Sequence, residues 1–251
     1  MRRAFTLIEL VMVLVVLAIV THLAVHELGS VLDGKRTSAA ETQLESIRRA
    51  AADFLSDVGR LPRLVAETND QGQVVKTLSE LWRCPSYVPR QAVTNLDGKV
   101  MVATGWRGPY LRISPNKDRL FDPWGNAIEE VDDAGLKRLW MDEDGCVTNV
   151  CHYGARGQLE GRRDASLIPD GGARCSLVVT GANLDAAACR CYVPREGLVV
   201  GLLPTEATDA QVRFDGVVPG ERVVTVTGTD GSSAVRLVKV RGPATVVEIL
   251  P

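Results

Sequence analysis

Aromatic side chains are scarce in this chain, where Phe, Trp and Tyr together make up 5% of 251 residues. Charge of either sign is not in excess, since the net charge is −2. No basic stretch interleaved with aromatics occurs, although such a patch is the usual footprint of a nucleic-acid-binding surface. Composition therefore argues against nucleic acid as a partner.

Motifs of catalysis are also missing. Histidine occurs three times, at His22, His26 and His152. There is no serine-elbow motif, phosphate loop or paired-carboxylate signature. Cys151 stands next to His152, but a nucleophile needs a partner in space and not merely in sequence. We therefore predict that the protein is not an enzyme.

The N-terminus carries a long apolar run. Arg2 and Arg3 precede it, and residues 10–20 contain no polar side chain. As a helix, residues 5–25 would be about 31 Å long, enough to cross a bilayer. The two arginines favour a cytoplasmic N-terminus. Glu9 is out of place here, because a charge at mid-membrane costs about 2.5–3.5 kcal/mol and such a residue is expected to have a partner.

The segment RRAFTLIEL resembles the leader of type IV pilins and type II secretion pseudopilins. The resemblance implies that prepilin peptidase cuts between Ala4 and Phe5 and methylates the new amine of Phe5. The family usually has Gly before the cut, where this chain has Ala4. The resemblance also implies that Glu9 receives the terminal ammonium of a neighbouring subunit. An ordinary secretory signal or a plain membrane anchor would leave Glu9 without a purpose.

A stalk helix is predicted after the apolar run. Gly59 and Pro62 should end it. Gly29 and Gly34 interrupt it, and Ser38 or Thr37 followed by Glu41 resembles a capping box, so the amphipathic part is expected to start as a fresh helix. The apolar positions with helical spacing on one face are Ala40, Leu44, Ile47, Ala51, Phe54, Leu55 and Val58.

Six cysteines occur, and no pair has the CxxC spacing typical of a zinc site. An even number in an exported chain indicates disulfides, with fifteen possible pairings. The alternative is a metal site built from Cys146, Cys151, His152, Cys189 and Cys191. We predict disulfides, for which the candidates are Cys84, Cys146, Cys151, Cys175, Cys189 and Cys191.

The segment GPYL followed by DPWGN, within residues 105–130, resembles the globular head of the major pseudopilin of type II secretion. That head carries a calcium loop, so the resemblance implies a calcium site in residues 153–166. Glu160 and Asp164 are the candidate ligands, and Arg156 opposes a cation there. Residues 142–144 are acidic and could substitute; a solvated acidic turn is the alternative. A disulfide between Cys146 and Cys151 could staple the same loop.

From Gly171 onward, apolar runs alternate with turn residues in the manner of a β-sandwich. The segment VRFDGVVPGERVVTVTG resembles the carboxypeptidase regulatory-like (prealbumin-like) class. Cys175, Cys189 and Cys191 are expected to tie this part to the head. The predicted strands cover residues 176–180, 197–203, 211–214, 222–227, 234–240 and 245–250.

Together these features predict an α+β protein: a long N-terminal transmembrane and stalk helix, a pilin-like α/β head and a small all-β sandwich. The predicted parts are a leader at 1–4, the helix at 5–58, the head at 59–170 and the sandwich at 171–251. The resemblance implies a pseudopilus subunit in the bacterial inner membrane with its head in the periplasm. Its partners would be other pseudopilin subunits, prepilin peptidase, the inner-membrane assembly platform and lipid. The alternatives are a minor or tip subunit, a type IV pilin, and a monomeric membrane-anchored binding module.

Overall fold

One continuous helix dominates the N-terminal part. Helix α1 spans Leu7–Val58, 52 residues, and is therefore about 78 Å long. The expected fresh start near Thr37 is wrong: the Thr37 hydroxyl donates to the Asp33 carbonyl one turn back, at 2.9 Å, inside the helix. Gly29 and Gly34 do not interrupt the helix, since a glycine in the middle of a helix costs only about 1 kcal/mol relative to alanine.

The computed structural model describes residues 7–68, 72–90, 92–96, 100–114, 119–131, 135–153 and 162–249.

The C-terminal third of α1 is anchored by the predicted apolar stripe. Every residue of that stripe, from Ala40 to Val58, is at most 5% exposed, so the prediction is confirmed. The helix ends where expected. Gly59 has a φ of 92°, and its N–H donates to the Leu55 carbonyl at 2.9 Å. Glycine tolerates this left-handed conformation, which explains the stop at this residue.

Small antiparallel sheets pack against this part of the helix and form the head with it. Strands β1 and β2 form one hairpin, β3 and β4 a second, and β5, β6 and β7 a three-stranded sheet. One apolar cluster joins α1 to the three-stranded sheet and to a short 3-10 helix, Ser79–Leu81, with Phe54, Leu81 and Leu139 fully buried. The β3–β4 hairpin contacts strand β10, Leu198–Leu202. The strands are β1 Val65–Thr68, β2 Val74–Thr77, β3 Ala92–Leu96, β4 Val100–Thr104, β5 Leu139–Met141, β6 Val147–His152 and β7 Arg163–Ser166.

Two four-stranded sheets follow, which we call the two-sheet domain. Their strand orders are β10-β9-β13-β14 and β11-β12-β8-β15, and only β15 and β8 pair in parallel. Both sheets contribute to a second buried cluster, for example Leu177 and Phe214 from one and Val193 and Val224 from the other. The strands are β8 Cys175–Thr180, β9 Arg190–Arg195, β10 Leu198–Leu202, β11 Glu206–Thr208, β12 Gln211–Val217, β13 Gly220–Thr227, β14 Ser233–Val240 and β15 Ala244–Glu248.

The six predicted strands of this region are present, and their ends differ from the prediction by at most three residues. Strands β9 and β11 were not predicted. β9 reads RCYVPR, where charges and a proline hide the alternation. β11 has only three residues, all exposed, so it has no apolar signal.

Candidate functional site

The N-terminal arm, residues 7–39 of α1, projects away from the head. Burial against the rest of the chain begins at Ala40. Residues 7–22 are all exposed, and they include twelve large apolar side chains, among them Leu7 and Ile8. Contiguous apolar surface of this kind marks a protein or membrane contact. At 1.5 Å per residue the arm extends about 50 Å beyond the head.

Glu9 lies in the first turn of this arm. An acidic side chain in the first turn is favoured by the positive end of the helix dipole. Its neighbours Ile8 and Leu10 are exposed apolar residues. Glu9 thus places a carboxylate at the tip of an apolar surface. Ala4 and Phe5, the predicted cleavage and methylation residues, lie outside the described part of the chain.

No helix in the described residues has a stretch that is both long enough and apolar enough to cross a membrane.

At its other end, α1 holds the head and the two-sheet domain together. The Asp57 carbonyl accepts a hydrogen bond from Gly105 N at 3.0 Å, and the Val58 carbonyl accepts one from Gly197 N at 2.9 Å. Carbonyl groups at a helix C-terminus lack partners within the helix. Here the head hairpin and the two-sheet domain each supply one of those missing donors. The Thr104 hydroxyl adds a bond to the Gly197 carbonyl at 2.8 Å.

A buried ion pair lies directly after the helix. Arg60 donates to both oxygens of the Glu80 carboxylate, at 2.8 and 2.9 Å, and both side chains are less than 10% exposed. Tyr87 also donates its hydroxyl hydrogen to Glu80. Burial, reinforced by Glu80, raises the pKa of Tyr87 to about 12. Arg60 further reaches Glu196 of the two-sheet domain at 2.8 Å, so one guanidinium joins three parts of the chain.

Arg222 makes a second polar link across the same junction. Its guanidinium donates to the Ser56 carbonyl of α1 at 3.0 Å and to the Val218 carbonyl at 2.8 Å. It donates as well to the carbonyls of Glu221 and Pro219. Burial is the main cause that lowers the pKa of Arg222 to about 10. Four carbonyl acceptors satisfy this buried cation in place of a carboxylate.

The DPWGN turn is organised by Asp122. This carboxylate accepts hydrogen bonds from the backbone N–H groups of Trp124 and Asn126, at 3.0 and 2.8 Å. Arg138 donates to its other oxygen at 3.0 Å, and the pair is 1% and 0% exposed. Asp122 therefore fixes the turn and binds it to the strand region around Arg138. These contacts give Asp122 a structural role.

The expected disulfides are not formed: all six cysteines are free. Cys146 directly precedes β6 and Cys151 lies within it, five residues further along the chain. An extended strand of that length separates their α-carbons by about 16 Å, whereas a disulfide needs α-carbons within about 7 Å. Cys175, Cys189 and Cys191 belong to the core of the two-sheet domain and do not reach the head. The Cys84 thiol donates instead to the Val88 carbonyl at 3.5 Å.

The alternative metal site is not assembled either. The described residues contain no cluster of three His, Cys, Asp or Glu side chains able to hold a metal ion. Cys146 and Cys151 lie in the head core or against it, whereas Cys189 and Cys191 lie in the other cluster.

Cys151 and His152 do not form an activated pair. Burial, with a hydrogen bond to Asp164 as the second cause, raises the pKa of Cys151 to about 12, which keeps the thiol protonated. Burial lowers the pKa of His152 to about 4. His152 is fully buried, and neither ring nitrogen has a hydrogen-bond partner among the residues that the structure describes. Absence of enzymatic activity stays a prediction.

Asp164 does not sit in a carboxylate cage. Arg162 donates to it at 3.0 Å. Burial raises the pKa of Asp164, but hydrogen bonds from Arg162 and Cys151 outweigh this and leave the pKa lowered. Asp142 is occupied in its own turn, where it accepts from the N–H of Cys146 at 2.8 Å. Asp164 and Asp142 thus have partners within the protein. Glu160 lies outside the described ranges, and the calcium site stays a prediction.

The N-terminal arm is the part with a counterpart among known families. Residues 1–25 match the family model of the prokaryotic N-terminal methylation motif. This motif indicates a type IV pilin-like or pseudopilin precursor that prepilin peptidase processes and that polymerises with pilin-like subunits. The match includes Ala4, Phe5 and Glu9. Neither the curated proteins nor the solved structures contain a match to the chain.

Sequence reasoning missed the residues of the junction. Glu80 stands in TLSELW between apolar residues, and Arg222 in PGERVV directly before the apolar half of a strand. A charge in that setting is a signal for a buried partner, although the sequence does not say which one. Arg60 is the partner of Glu80, and twenty residues separate them. Only the folded chain shows the pairing.

Proposed function

We propose that this protein is a structural subunit of the pseudopilus of a type II secretion system. In this proposal the chain is anchored in the inner membrane by its N-terminal arm, with the N-terminus cytoplasmic and the head periplasmic. After cleavage it assembles into a helical fibre that pushes secreted proteins outward. The observation that carries the proposal is the position of Glu9 in the first turn of an exposed apolar arm, inside the methylation motif.

The apolar arm supports assembly on energetic grounds. Residues 7–22 expose apolar side chains on every face of the helix. A helix that is apolar all round is stable when it is surrounded by lipid or by other apolar helices. A fibre with arms packed at its centre provides the second environment. Head-to-tail contacts between identical subunits that do not close into a ring generate such a helical fibre.

Glu9 supports a defined register within that fibre. Cleavage before Phe5 would create an amine whose reference pKa is about 7.7–8.0 and which is largely cationic at neutral pH. Opposite charges attract strongly in a low-dielectric setting, and a buried carboxylate is tolerated when it is paired. An ammonium of the incoming subunit that meets Glu9 of the preceding one would set the axial spacing.

Replacement of Glu9 tests the proposal. Glu9→Leu should leave membrane insertion and the loss of residues 1–4 unchanged but abolish incorporation into fibres. Insertion is read by membrane fractionation, processing by intact mass, and incorporation by cross-linking of sheared fibres. The matched control is Glu143→Leu, the same change in an exposed turn of the head, which should assemble normally. Normal incorporation of Glu9→Leu, or a native chain that retains residues 1–4, would contradict the proposal.

One observation favours a second candidate, a minor or tip subunit. The two-sheet domain contacts the end of α1 and the residues just after it, at 56–60, whereas Glu9 lies at the opposite end of the helix. The two ends are about 74 Å apart at 1.5 Å per residue. A domain at the end of α1 opposite Glu9 occupies space that the next subunit of a fibre would need. Only the last subunit of the fibre has no such neighbour. Antibody labelling of fibres distinguishes the candidates: label along the fibre supports a major subunit, and label at one end a tip subunit.

The remaining alternatives differ in their readouts. A type IV pilin predicts surface pili and unaffected protein secretion when the gene is deleted. A monomeric membrane-anchored binding module predicts no cross-links between copies. The type II secretion proposal predicts loss of secretion together with cross-links to pilin-like subunits.

A further inference from the structure

A cleft opens between the two sheets of the two-sheet domain, beside edge strand β10. Its volume is about 280 Å³. Its floor is apolar and consists of Val193, Val200 and Leu202. Val200 pairs with Val193 and Leu202 with Cys191, so these side chains share the inner face of the sheet. Cys191 on that face is fully buried, which shows that the cleft is an open end of the domain's core.

Two arginines line the rim. Arg195 follows Val193 by two residues on β9, so both side chains lie on the same face of the sheet. Arg174 approaches from the other sheet, just before β8, and donates to the Gly216 carbonyl at 3.3 Å. Both arginines line the same cleft. Partial desolvation lowers the pKa of Arg174, with the charge of Arg195 as the second cause. Across the described ranges, neither arginine forms an ion pair with a carboxylate.

The acidic residue on the cleft wall, Asp215, is engaged elsewhere. Its carboxylate accepts hydrogen bonds from Ser176 at 2.6 Å, Thr205 at 2.9 Å and Arg213 at 2.9 Å. The hydrogen bonds of Ser176, Arg213 and Thr205 lower the pKa of Asp215 to about 2. Asp215 therefore remains an anion that accepts its hydrogen bonds from Ser176, Thr205 and Arg213, and in the described residues it forms no ion pair with the rim arginines.

We propose that this cleft binds a monocarboxylate carried on a short branched aliphatic chain. The planar fork of arginine matches a carboxylate, and two arginines at one rim without acidic partners offer donors to it. The valines and the leucine of the floor suit an aliphatic tail. The volume lies just below the range of about 300–1,000 Å³ typical of drug-sized ligands, so the ligand is small. The fixed anion of Asp215 penalises a dianion such as a phosphate more than a monoanion.

Calorimetric titration of the purified full-length chain in detergent tests the proposal, with 4-methylpentanoate as the probe. The matched compound is 4-methylpentanamide, which has the same tail without the charge and also corrects for partition into micelles. The acid should bind at least about tenfold more tightly than the amide, because charge-assisted hydrogen bonds are about twice as strong as neutral ones. Equal binding of acid and amide, or no binding of the acid, overturns the proposal.

Variants locate the site. Arg195→Gln and Arg174→Gln should each weaken binding of the acid by about tenfold, and Leu202→Trp should abolish it by filling the floor. Arg236→Gln is the control, since Arg236 is an exposed arginine on β14 at the opposite edge of the same sheet. Thermal melting curves establish that the two rim variants, whose side chains are exposed, remain folded. Unchanged affinity in both rim variants overturns the proposal.

A carboxylate of this kind occurs as a free acid and as the C-terminus of a peptide ending in leucine. A hexapeptide that ends in Ala-Leu, with a free or an amidated C-terminus, distinguishes these sources. Tighter binding of the free peptide than of 4-methylpentanoate assigns the cleft to a protein C-terminus, and weaker binding assigns it to a small acid. Preference for isopentyl phosphate over 4-methylpentanoate contradicts the assignment of a monocarboxylate.

Discussion

Gly59 lies directly against Pro194: a β-carbon built on Gly59 would be 2.0 Å from the Pro194 carbonyl oxygen. The last turn of α1 and strand β9 are therefore in backbone contact. Gly59 also has a φ of 92°, a conformation that side chains with a β-carbon rarely adopt. Gly59 thus ends the helix, and its lack of a β-carbon allows strand β9 to approach closely.

Gly59→Ala should strongly destabilise the protein, because the added methyl group meets backbone atoms that cannot rotate away. We expect the free energy of unfolding to fall by at least about 2 kcal/mol. Urea denaturation followed by tryptophan fluorescence in detergent measures it. The control is Gly34→Ala, at a helical position with nothing within 4 Å of the new β-carbon, which should stabilise by up to about 1 kcal/mol. Similar stability of the two variants would count against the contact.

Loss of the buried Arg60–Glu80 pair should be costly. Arg60→Met leaves the Glu80 carboxylate buried without its cation, and removal of one partner of such a pair costs about 3–5 kcal/mol. Glu196→Gln, which removes the partly exposed partner of Arg60, should cost about 0–1 kcal/mol. Chemical denaturation measures both. An Arg60→Met loss no larger than that of Glu196→Gln would show that Glu80 is hydrated.

Acid should weaken the fold through His152. Burial lowers its pKa in the folded state to about 4, below the ordinary histidine pKa of about 6.5. The unfolded chain therefore binds a proton first as pH falls from 6.5 to 4, and stability is lost across that window. The loss is about 3 kcal/mol at 1.36 kcal/mol per pKa unit.

The pH dependence of unfolding in urea checks this role of His152. His152→Phe should flatten the slope between pH 6.5 and 4. His22→Gln is the control, because His22 lies exposed on the N-terminal arm, and it should retain the slope. The interpretation fails if the His152 variant and the wild type lose stability equally over this window.

All six cysteines should be reduced in the mature protein. Intact mass after alkylation in denaturant without reductant should show six added groups. Burial is the main cause that raises the pKa of Cys151 and of Cys191 to about 12. Because the thiolate is the reactive form, both thiols should react slowly in the native state. The sharpest contradiction would be a mass with fewer than six groups.

The helix and most strands of the two-sheet domain could be predicted because each depends on local periodicity. The stripe from Ala40 to Val58 follows a 3.6-residue repeat, and Gly59 ends it with a conformation available to glycine. β9 could not be predicted, since Arg195 and Pro194 interrupt its pattern while its inner face is still buried. Its place in the sheet is set by pairing with β13, which is not local.

The features of the candidate site divide in the same way. The Glu9 signal is local, because a charge within an apolar run is visible in the sequence. The disulfide prediction used the expected compartment and the even number of cysteines. Neither gives the distance between any two sulfur atoms. The Arg60–Glu80 pair and the cleft between Arg174 and Arg195 depend on segments that only folding brings together, so no window of sequence could contain them.

The junction at the end of α1 has a mechanical consequence. The Asp57 and Val58 carbonyls accept hydrogen bonds from two different parts of the chain, and Arg222 donates to the Ser56 carbonyl in the same last turn. A pull along the helix axis would therefore load the bonds to both parts together. A protein that is drawn out by one end would pass the tension to both of its folded parts at once.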